Sequence, residues 1–376
     1  MGGASSSTGR GGRGVRVGLV GVGNNSSALV QGVYHYRSTA GAAAVASGRH
    51  GLRFPVLCGR AVGDVEFSCA FDVDERKIDL DLGEAILSEP NRYPAVNGPI
   101  ETGVLVSRAP VLDGVPEFLD DLVLVGAGHR GRDRNGEDFE RCVDVVAGSE
   151  TEVLVNFLPS GSNDATDFFG RVAAAAGAAY VNCTPTPAAH SEEVADLFLD
   201  AGVPLLGDDL ESHFGSSLVH RTLLEALEQR GLEINHSYQV NLGGNTDFKN
   251  LFHRPGAKRA SKRTALSTTD SADRVEVVPS AGYLSGLGDN KVGYISVEGL
   301  GWLGMPVSID VKLRVQDSSN AAGVVIDLVR LAGAARDRGL AGCVPFSYYF
   351  KNPVGEKLST PEALAQIEQF DRGDEL

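Results

Sequence analysis

The chain has 376 residues, a hydrophobic fraction of 42% and a formal net charge of −15. This length predicts two domains with sizeable cores, and the acidic balance argues against duplex nucleic acid as a partner. The five cysteines are scattered without metal-ligand spacing, which predicts buried, reduced thiols in a cytoplasmic protein. No apolar run reaches the roughly 20 residues of a membrane span, so the sequence predicts no membrane association either.

A disordered tail is predicted for residues 1–14, and the folded part then opens with a strand, a glycine turn and a helix. Gly21 suits the tight turn, and Gly23 lets the backbone approach a pyrophosphate at the helix N-terminus, as in dinucleotide-binding folds. Ser26 replaces the third glycine of the usual pattern. By itself the turn is therefore also compatible with an ordinary strand-to-helix connection.

Polar residues follow the later strands of this domain. Asp72 ends the second strand, after an insertion at 37–60, and is expected to bind the ribose hydroxyls of NAD unless it faces solvent. Apolar runs at 152–159, 178–185 and 203–209, separated by helical stretches, predict a doubly wound parallel sheet. Side chains at the strand ends are expected at the cofactor, although each could instead cap a helix: Asn156, Ser160, Asn182 and Thr184.

From residue 237 the pattern changes to alternating strands, which predicts a second domain with a mainly antiparallel sheet. A helix at 216–230 precedes it, and its N-terminus could bind an anion. A long amphipathic helix at 320–338 and a terminal helix at 361–373 follow the second domain. The predicted architecture is α/β, a Rossmann-like domain (15–236 and 318–376) with an inserted α+β domain (237–317).

Lysine is distributed unevenly. Only 8 of the 34 basic residues are lysine, and all of these except Lys77 lie between Lys249 and Lys357. Lysine differs from arginine because a buried ammonium group can readily lose its proton. The clustering of lysines in this stretch therefore points to a functional site, and compositional drift is the alternative explanation.

Six segments together resemble the myo-inositol-1-phosphate synthase family, in particular its actinobacterial branch, over nearly the whole chain. They are GVGNNSSALVQG at 21–32, AFDVD at 70–74, FLPSGS at 157–162, GDD at 207–209, NLGGNTDF at 241–248 and QDSSNAAGVVIDLVR at 316–330. The resemblance implies four active-site lysines, which match Lys258, Lys262, Lys291 and Lys351. Half of the eight lysines thus fall on the family's catalytic positions, which argues against drift.

The resemblance implies a redox-neutral cyclisation of glucose 6-phosphate to myo-inositol 1-phosphate. NAD would take a hydride from C5, the C6 enolate would attack the carbonyl at the other end, and the hydride would then return. By this likeness Lys258 handles the proton of the C5 oxygen, and Lys351 polarises the carbonyl under attack. Lys262 and Lys291 hold the phosphate and the enolate, because ammonium groups stabilise negative charge on oxygen.

Further residues take implied roles from the same likeness. Those expected to orient the lysines and the nicotinamide are Asp209, Asp247 and Asp317; those expected at the sugar phosphate are Ser212, Asn241 and Asn245. Those expected at NAD, besides the residues given above, are Asn24, Asn25 and Ser318. The family also implies a homotetramer formed through the second sheet, and a cation near the cofactor is an open expectation.

The match departs from the family at the expected sugar pocket. Glu211 stands where the family usually has lysine in a D-D-x-K-S motif, and His213 stands where smaller or amide side chains are usual. Altered residues beside retained lysines favour kept chemistry on a changed substrate. The concrete alternative is fructose 6-phosphate, whose C2 ketone would give a five-membered cyclitol phosphate of the kind used for carbocyclic nucleosides. An ordinary dehydrogenase, an NAD-sensing protein and a metal-dependent aldolase are weaker hypotheses.

Overall fold

Two sheets organise the residues described by a computed structural model, which are 14–96, 98–126, 136–254, 256, 265–266, 269 and 271–374. The strands are β1 (Val15–Val20), β2 (Val56–Leu57), β3 (Arg60–Ala61), β4 (Val65–Asp72), β5 (Val106–Arg108), β6 (Val153–Asn156), β7 (Ala179–Asn182), β8 (Pro204–Leu206), β9 (Glu233–Gly243), β10 (Val275–Tyr283), β11 (Asn290–Leu300), β12 (Pro306–Gln316) and β13 (Gly342–Cys343). The helices are α1 (Asn24–Arg37), α2 (Thr39–Ala46), α3 (Leu82–Ala85), α4 (Glu137–Gly148), α5 (Asn163–Ala175), α6 (Glu192–Asp200), α7 (Ser216–Gln229), α8 (Thr246–His253), α9 (Asp317–Asp337) and α10 (Thr360–Arg372).

The larger sheet is parallel and has the strand order β13-β8-β7-β6-β1-β4-β5. Strand β1 pairs with β4 on one side and with β6 on the other, so the direction of chain progression reverses at β1. In doubly wound sheets, ligands bind in the crevice that such a reversal opens at the carboxyl ends of the strands. The predicted doubly wound parallel sheet is confirmed.

Helices cover both faces of the parallel sheet. Helices α1 and α9 bury residues such as Leu29 and Val325 against one face, and α4, α5 and α6 bury residues such as Val146 and Phe169 against the other. The prediction of an amphipathic helix beginning at Asn320 was wrong in two respects. Helix α9 begins at Asp317, and its residues from Val324 to Ala335 are buried on all sides because α1 lies along it.

Arg330 ties the insertion at 37–60 to α9. Its side chain is completely buried, pairs with Asp327 and donates to the backbone oxygens of Phe54 at 2.8 Å and Arg60 at 3.1 Å. A buried guanidinium needs such partners to offset its desolvation. The insertion is therefore anchored to the helix that covers the sheet.

The smaller sheet has the order β10-β9-β11-β12 and is mixed. The β9–β11 and β11–β12 pairs are antiparallel, as expected, but β10 runs parallel to β9 because a crossover containing α8 separates them. Helix α7 packs against one face through Leu224, which contacts a cluster that includes Ile234 and Val297. The proposed division into two domains stays a prediction.

All five cysteines lie in the described ranges and none of them forms a disulfide. Cys69 and Cys142 are buried as predicted, but the prediction of burial was wrong for the other three, which are only partly buried. Within the described ranges, no helix combines the length and the apolarity that crossing a membrane requires. The predicted tail at 1–14 lies almost entirely outside the described residues.

Candidate functional site

The turn after β1 has the geometry of a phosphate-binding loop. Gly21 has a φ of +90°, in the left-handed region that favours glycine, and its N–H donates to the Phe71 oxygen at 2.8 Å. The Ser26 hydroxyl donates to the Gly21 oxygen at 2.6 Å, so the residue in place of the third glycine closes the turn. A Cβ added at Gly23 would meet no atom within 4 Å, which leaves the start of α1 open to a ligand. Free N–H groups at a helix start attract phosphate.

Asp72 holds the turn from the end of β4. Its Oδ2 accepts the Val22 N–H at 2.7 Å, and its Oδ1 accepts the N–H groups of Val73 and Asp74. The buried Lys77 ammonium lies 3.8 Å from Asp72 Oδ2 and donates to the Val22 oxygen at 2.8 Å. Sequence reasoning missed Lys77, although its isolation from the other lysines was a signal.

A first cavity opens at the switch point beside this turn. Apolar side chains from the segment after β5, among them Val111, Val115 and Leu119, form one wall. Of the eleven residues predicted at the cofactor, nine line the cavity: Gly21, Gly23, Asn24, Asn25, Asp72, Ser160, Thr184, Asp317 and Ser318. A polar turn facing an apolar wall suits a dinucleotide with charged phosphates and flat rings.

Asn156 and Asn182 are the predicted cofactor residues that do not line this cavity. The outcome at Asn156 explains both. Asn156 is completely buried and donates to the Asn182 side chain at 3.0 Å while accepting the Leu158 N–H at 3.0 Å. Both amides therefore fix neighbouring strand ends. The helix-cap alternative was wrong for all four strand-end residues, since α5 begins after Ser162 and α6 after Ser191.

A second cavity adjoins the first and shares four lining residues with it: Asn25, Cys183, Asp247 and Asp317. The start of α7 contributes Ser216 and Ser217, and the segment before it contributes Ser212. Lys291 and Lys351 enter this second cavity from different elements. Lys258 and Lys262 lie outside the described residues.

Of the four lysines predicted at the active site, the two that are described, Lys291 and Lys351, are each paired with a carboxylate. Lys351 Nζ lies 3.1 Å from Asp209 Oδ1 and donates to the Leu210 oxygen at 2.6 Å. Lys291 Nζ lies 3.4 Å from Asp317 Oδ1. Such pairing fixes the direction of the ammonium group.

Asn245 links this site to a carboxylate that the sequence did not single out. It caps α8, and its Nδ2 lies 3.3 Å from Asp289 Oδ1 and 3.5 Å from Asp317 Oδ2. Burial, followed by the nearby Asp317 charge, raises the pKa of Asp289 to about 6, while hydrogen bonds from Ser318 act in the opposite direction. The position of Asp289 two residues before Lys291 was the available signal.

Three residues predicted at the substrate lie elsewhere or have other partners. Asn241 lines neither cavity and accepts from the Ser216 hydroxyl at 2.8 Å. His213 turns toward α9, where burial lowers its pKa, and a Cβ at Gly323 would lie 3.1 Å from its Nδ1. Glu211 lines the second cavity but lies 2.7 Å from Lys357 Nζ.

A metal site stays a prediction. In the described ranges, no three side chains of His, Cys, Asp or Glu gather as a group that could hold a metal ion.

Comparisons with known proteins agree with one another. The family model for myo-inositol-1-phosphate synthase matches residues 215–318. Inositol-3-phosphate synthase of Mycolicibacterium smegmatis is 37% identical over 96% of this chain and 98% of its own length, and that of Corynebacterium glutamicum is 35% identical over 95% and 98%.

Solved structures extend the likeness to the fold. The crystal structure of Ari2 has a TM-score of 0.80 and 41% identity over 96% of this chain and 98% of its own. The myo-inositol-1-phosphate synthase-related protein of Thermotoga maritima has a TM-score of 0.77 at 21% identity, over 96% and 99%, and so supports the fold alone.

Proposed function

Because the chain belongs to the myo-inositol-1-phosphate synthase family, we propose that it is an NAD-dependent cyclase that converts glucose 6-phosphate to myo-inositol 1-phosphate. The observation that carries this proposal is the shared wall of the two cavities. A cofactor in the first cavity and a sugar phosphate in the second would meet at Asp247 and Asp317. Hydride transfer requires that kind of contact between the two ligands.

The first cavity fits NAD. The open backbone at Gly23 would receive the pyrophosphate, and the Asp72 carboxylate would face the ribose. NAD supplies a hydride acceptor that also returns the hydride, so the reaction needs no second redox partner. The apolar wall around Val115 would exclude water from the flat rings.

Lys291 and Lys351 would carry out the polar part of the reaction. Removing a proton from C6 leaves an enolate, and closing the ring leaves an alkoxide, so negative charge develops on oxygen twice. Lys351 is held by Asp209 in a nearly dry position, where an ammonium group stabilises such charge better than in water. Lys291, held by Asp317, would do the same at the boundary of the two cavities.

The start of α7 is the proposed phosphate site. Ser212, Ser216 and Ser217 lie around its first turn within the second cavity. Hydroxyl groups and free N–H groups at a helix start bind phosphate oxygens. The phosphate would thus lie in the same cavity as Lys291 and Lys351.

Product analysis tests the proposal. Pure protein is mixed with NAD and glucose 6-phosphate, and phosphorus NMR with mass spectrometry should reveal a non-reducing isomer. Nicotinamide absorbance should show no build-up of NADH. Lys351→Met should abolish the product, and Arg372→Met, at an exposed position of α10, should retain it. Accumulating NADH would instead identify a dehydrogenase and refute the cyclase.

Fructose 6-phosphate is the second candidate substrate. Position 211 favours it, because a carboxylate pairing with Lys357 stands there in place of the cation that the family usually places at this wall. The same C6 enolate would then attack a C2 ketone and close a five-membered ring. A product from fructose 6-phosphate alone, in a parallel incubation, would establish this substrate.

The proposed homotetramer would form through the smaller sheet. Its face away from α7 exposes Tyr238 and Tyr294, and the β11–β12 connection exposes Trp302, Leu303 and Met305. Exposed apolar side chains of this size favour a protein contact.

A further inference from the structure

A buried charge cluster lies behind the wall of the second cavity. Glu211 Oε2 lies 2.7 Å from Lys357 Nζ, and Oε1 lies 2.9 Å from Arg221 Nη1 without an aligned hydrogen bond. All three side chains are less than a tenth exposed. We call Glu211, Arg221 and Lys357 the Glu211 cluster.

The cluster joins three separate parts of the chain. Glu211 follows β8, Arg221 lies on α7, and Lys357 precedes α10. Arg221 also donates to the Ala265 oxygen at 2.9 Å, and its Nε lies 3.8 Å from Glu225. Removing one member would leave the others as uncompensated buried charges, which the surrounding structure must then move to solvate.

The backbone beside the cluster carries Lys351. Segments 208–211 and 349–352 are joined by a short ladder, with Lys351 N–H donating to the Asp209 oxygen at 2.8 Å and Glu211 N–H donating to the Tyr349 oxygen at 2.8 Å. The Lys351 ammonium then folds back onto Asp209 and the Leu210 oxygen. Lys351 is therefore positioned by the segment that contains Glu211.

Lys357 completes this arrangement from the other side. Besides Glu211, its ammonium binds the Phe350 oxygen at 2.6 Å and the Ser347 oxygen at 3.1 Å. The Lys357 ammonium thus binds two backbone oxygens of the loop that bears Lys351, and Glu211 holds this ammonium in place. Burial lowers the pKa of Lys357, whereas the Glu211 carboxylate acts in the opposite direction.

From these contacts we infer that Glu211 is a positioning residue that fixes Lys351 through Lys357 and Arg221, rather than a residue that binds the sugar phosphate. Both carboxylate oxygens already face a cation. A carboxylate turned toward a substrate phosphate would repel it, whereas the oxygens of this one face Arg221 and Lys357.

Charge exchange tests the inference. Glu211→Lys places three cations together and should lower kcat about 100-fold, the effect expected when a catalytic group moves by about 1 Å. KM for the sugar phosphate should stay within about twofold, since no substrate contact is lost. Combining Glu211→Lys with Lys357→Glu restores opposite charges across the same contact and should recover at least about tenfold of the lost rate. If Glu211→Lys does not fold, Glu211→Gln keeps the shape and should still lower kcat about tenfold.

A second measurement does not require turnover. The kinetic part of the inference rests on the proposed cyclase activity, so acylation of individual lysines with acetic anhydride is followed by peptide mass spectrometry. Lys351 should react about tenfold faster in Glu211→Lys and slow again in the double variant, because local opening exposes it. Lys312, which pairs with Tyr294 across β11 and β12, keeps the same surroundings in every form and should react equally in all of them.

The outcomes separate the possibilities. Loss of product in the wild type with the expected labelling pattern would refute the cyclase and leave the positioning role standing. A raised KM at unchanged kcat, with no recovery in the double variant, would show that Glu211 binds the substrate and would overturn the inference. Equal labelling of Lys351 in all variants would overturn it as well.

Discussion

Replacing Asp289 by asparagine should change how the free energy of unfolding depends on pH. Compared with the wild type, the variant should be relatively more stable at neutral pH than at acid pH. Asp289 is 3% exposed and accepts hydrogen bonds from the Ser318 hydroxyl at 2.7 Å, the Ser318 N–H at 3.1 Å and the Asn245 amide at 3.3 Å. Burial and the neighbouring Asp317 nevertheless raise its pKa from 3.8 to about 6. The ionised carboxylate is therefore destabilising in the folded state.

The sign and the size of this pH-dependent change in stability follow from proton linkage. A carboxyl group with a raised folded pKa contributes stability below pH 4, and this contribution is lost as pH rises through about 6. A shift of about two pKa units corresponds to about 3 kcal/mol. The amide of the variant carries no charge at any pH. The difference in free energy of unfolding between variant and wild type should therefore shift by about 3 kcal/mol in favour of the variant between pH 4 and pH 8. The lost contact with the Ser318 N–H costs about 1 kcal/mol at both pH values and cancels in this comparison.

Urea denaturation at fixed protein concentration from pH 4 to pH 8 measures the effect. Asp196→Asn, at an exposed position of α6, is the matched control and should leave the pH dependence unchanged. Parallel stability curves for wild type and Asp289→Asn would refute the reasoning, because they would mean that the buried carboxylate is fully compensated.

Three other substitutions address the cofactor turn and the exposed sheet. Gly21→Ala places a side chain at a φ of +90° and should weaken NAD binding at least about tenfold, as measured by calorimetry. Gly32→Ala is the control, because a Cβ at that position of α1 meets open space and should leave the affinity unchanged. Equal NAD affinities for the two variants would contradict the expectation. Lys77→Met removes the ammonium beneath the turn and should cost about 1–3 kcal/mol in urea denaturation, and an unchanged midpoint would count against that role. Trp302, the single tryptophan, is 83% exposed. Trp302→Asp should therefore reduce the mass of the assembly measured by light scattering, while Leu199→Asp, at an exposed position of α6, should not. Equal masses for the two variants would place the contact between subunits elsewhere.

Much of the fold could be predicted because its signals are local. Apolar alternation, the turn glycines and the helix stops depend on neighbouring residues, and they predicted the parallel sheet, α7 and the terminal helix. The parallel pairing of β10 with β9 was missed, because strand alternation reports which side chains are buried and not which strand is the neighbour.

The residues of the candidate site likewise divide into those that the sequence predicted and those that it did not. Residues at the carboxyl ends of parallel strands share one edge of the sheet, which is why nine of the eleven predicted cofactor residues line the first cavity. Asn156 belongs to the same strand end but turns inward to Asn182, and no sequence pattern distinguishes it from Ser160.

The Rossmann-like order of elements could be read from local patterns, and the family likeness added the lysines of the candidate site. Which charges neutralise one another became visible only in the folded chain. Glu211 meets Lys357 across 146 positions, Lys77 lies beneath the glycine turn, and Asp289 is buried beside Asp317. Such pairings depend on how distant segments pack, because burial and distance, which set electrostatic energies, are properties of the assembled chain.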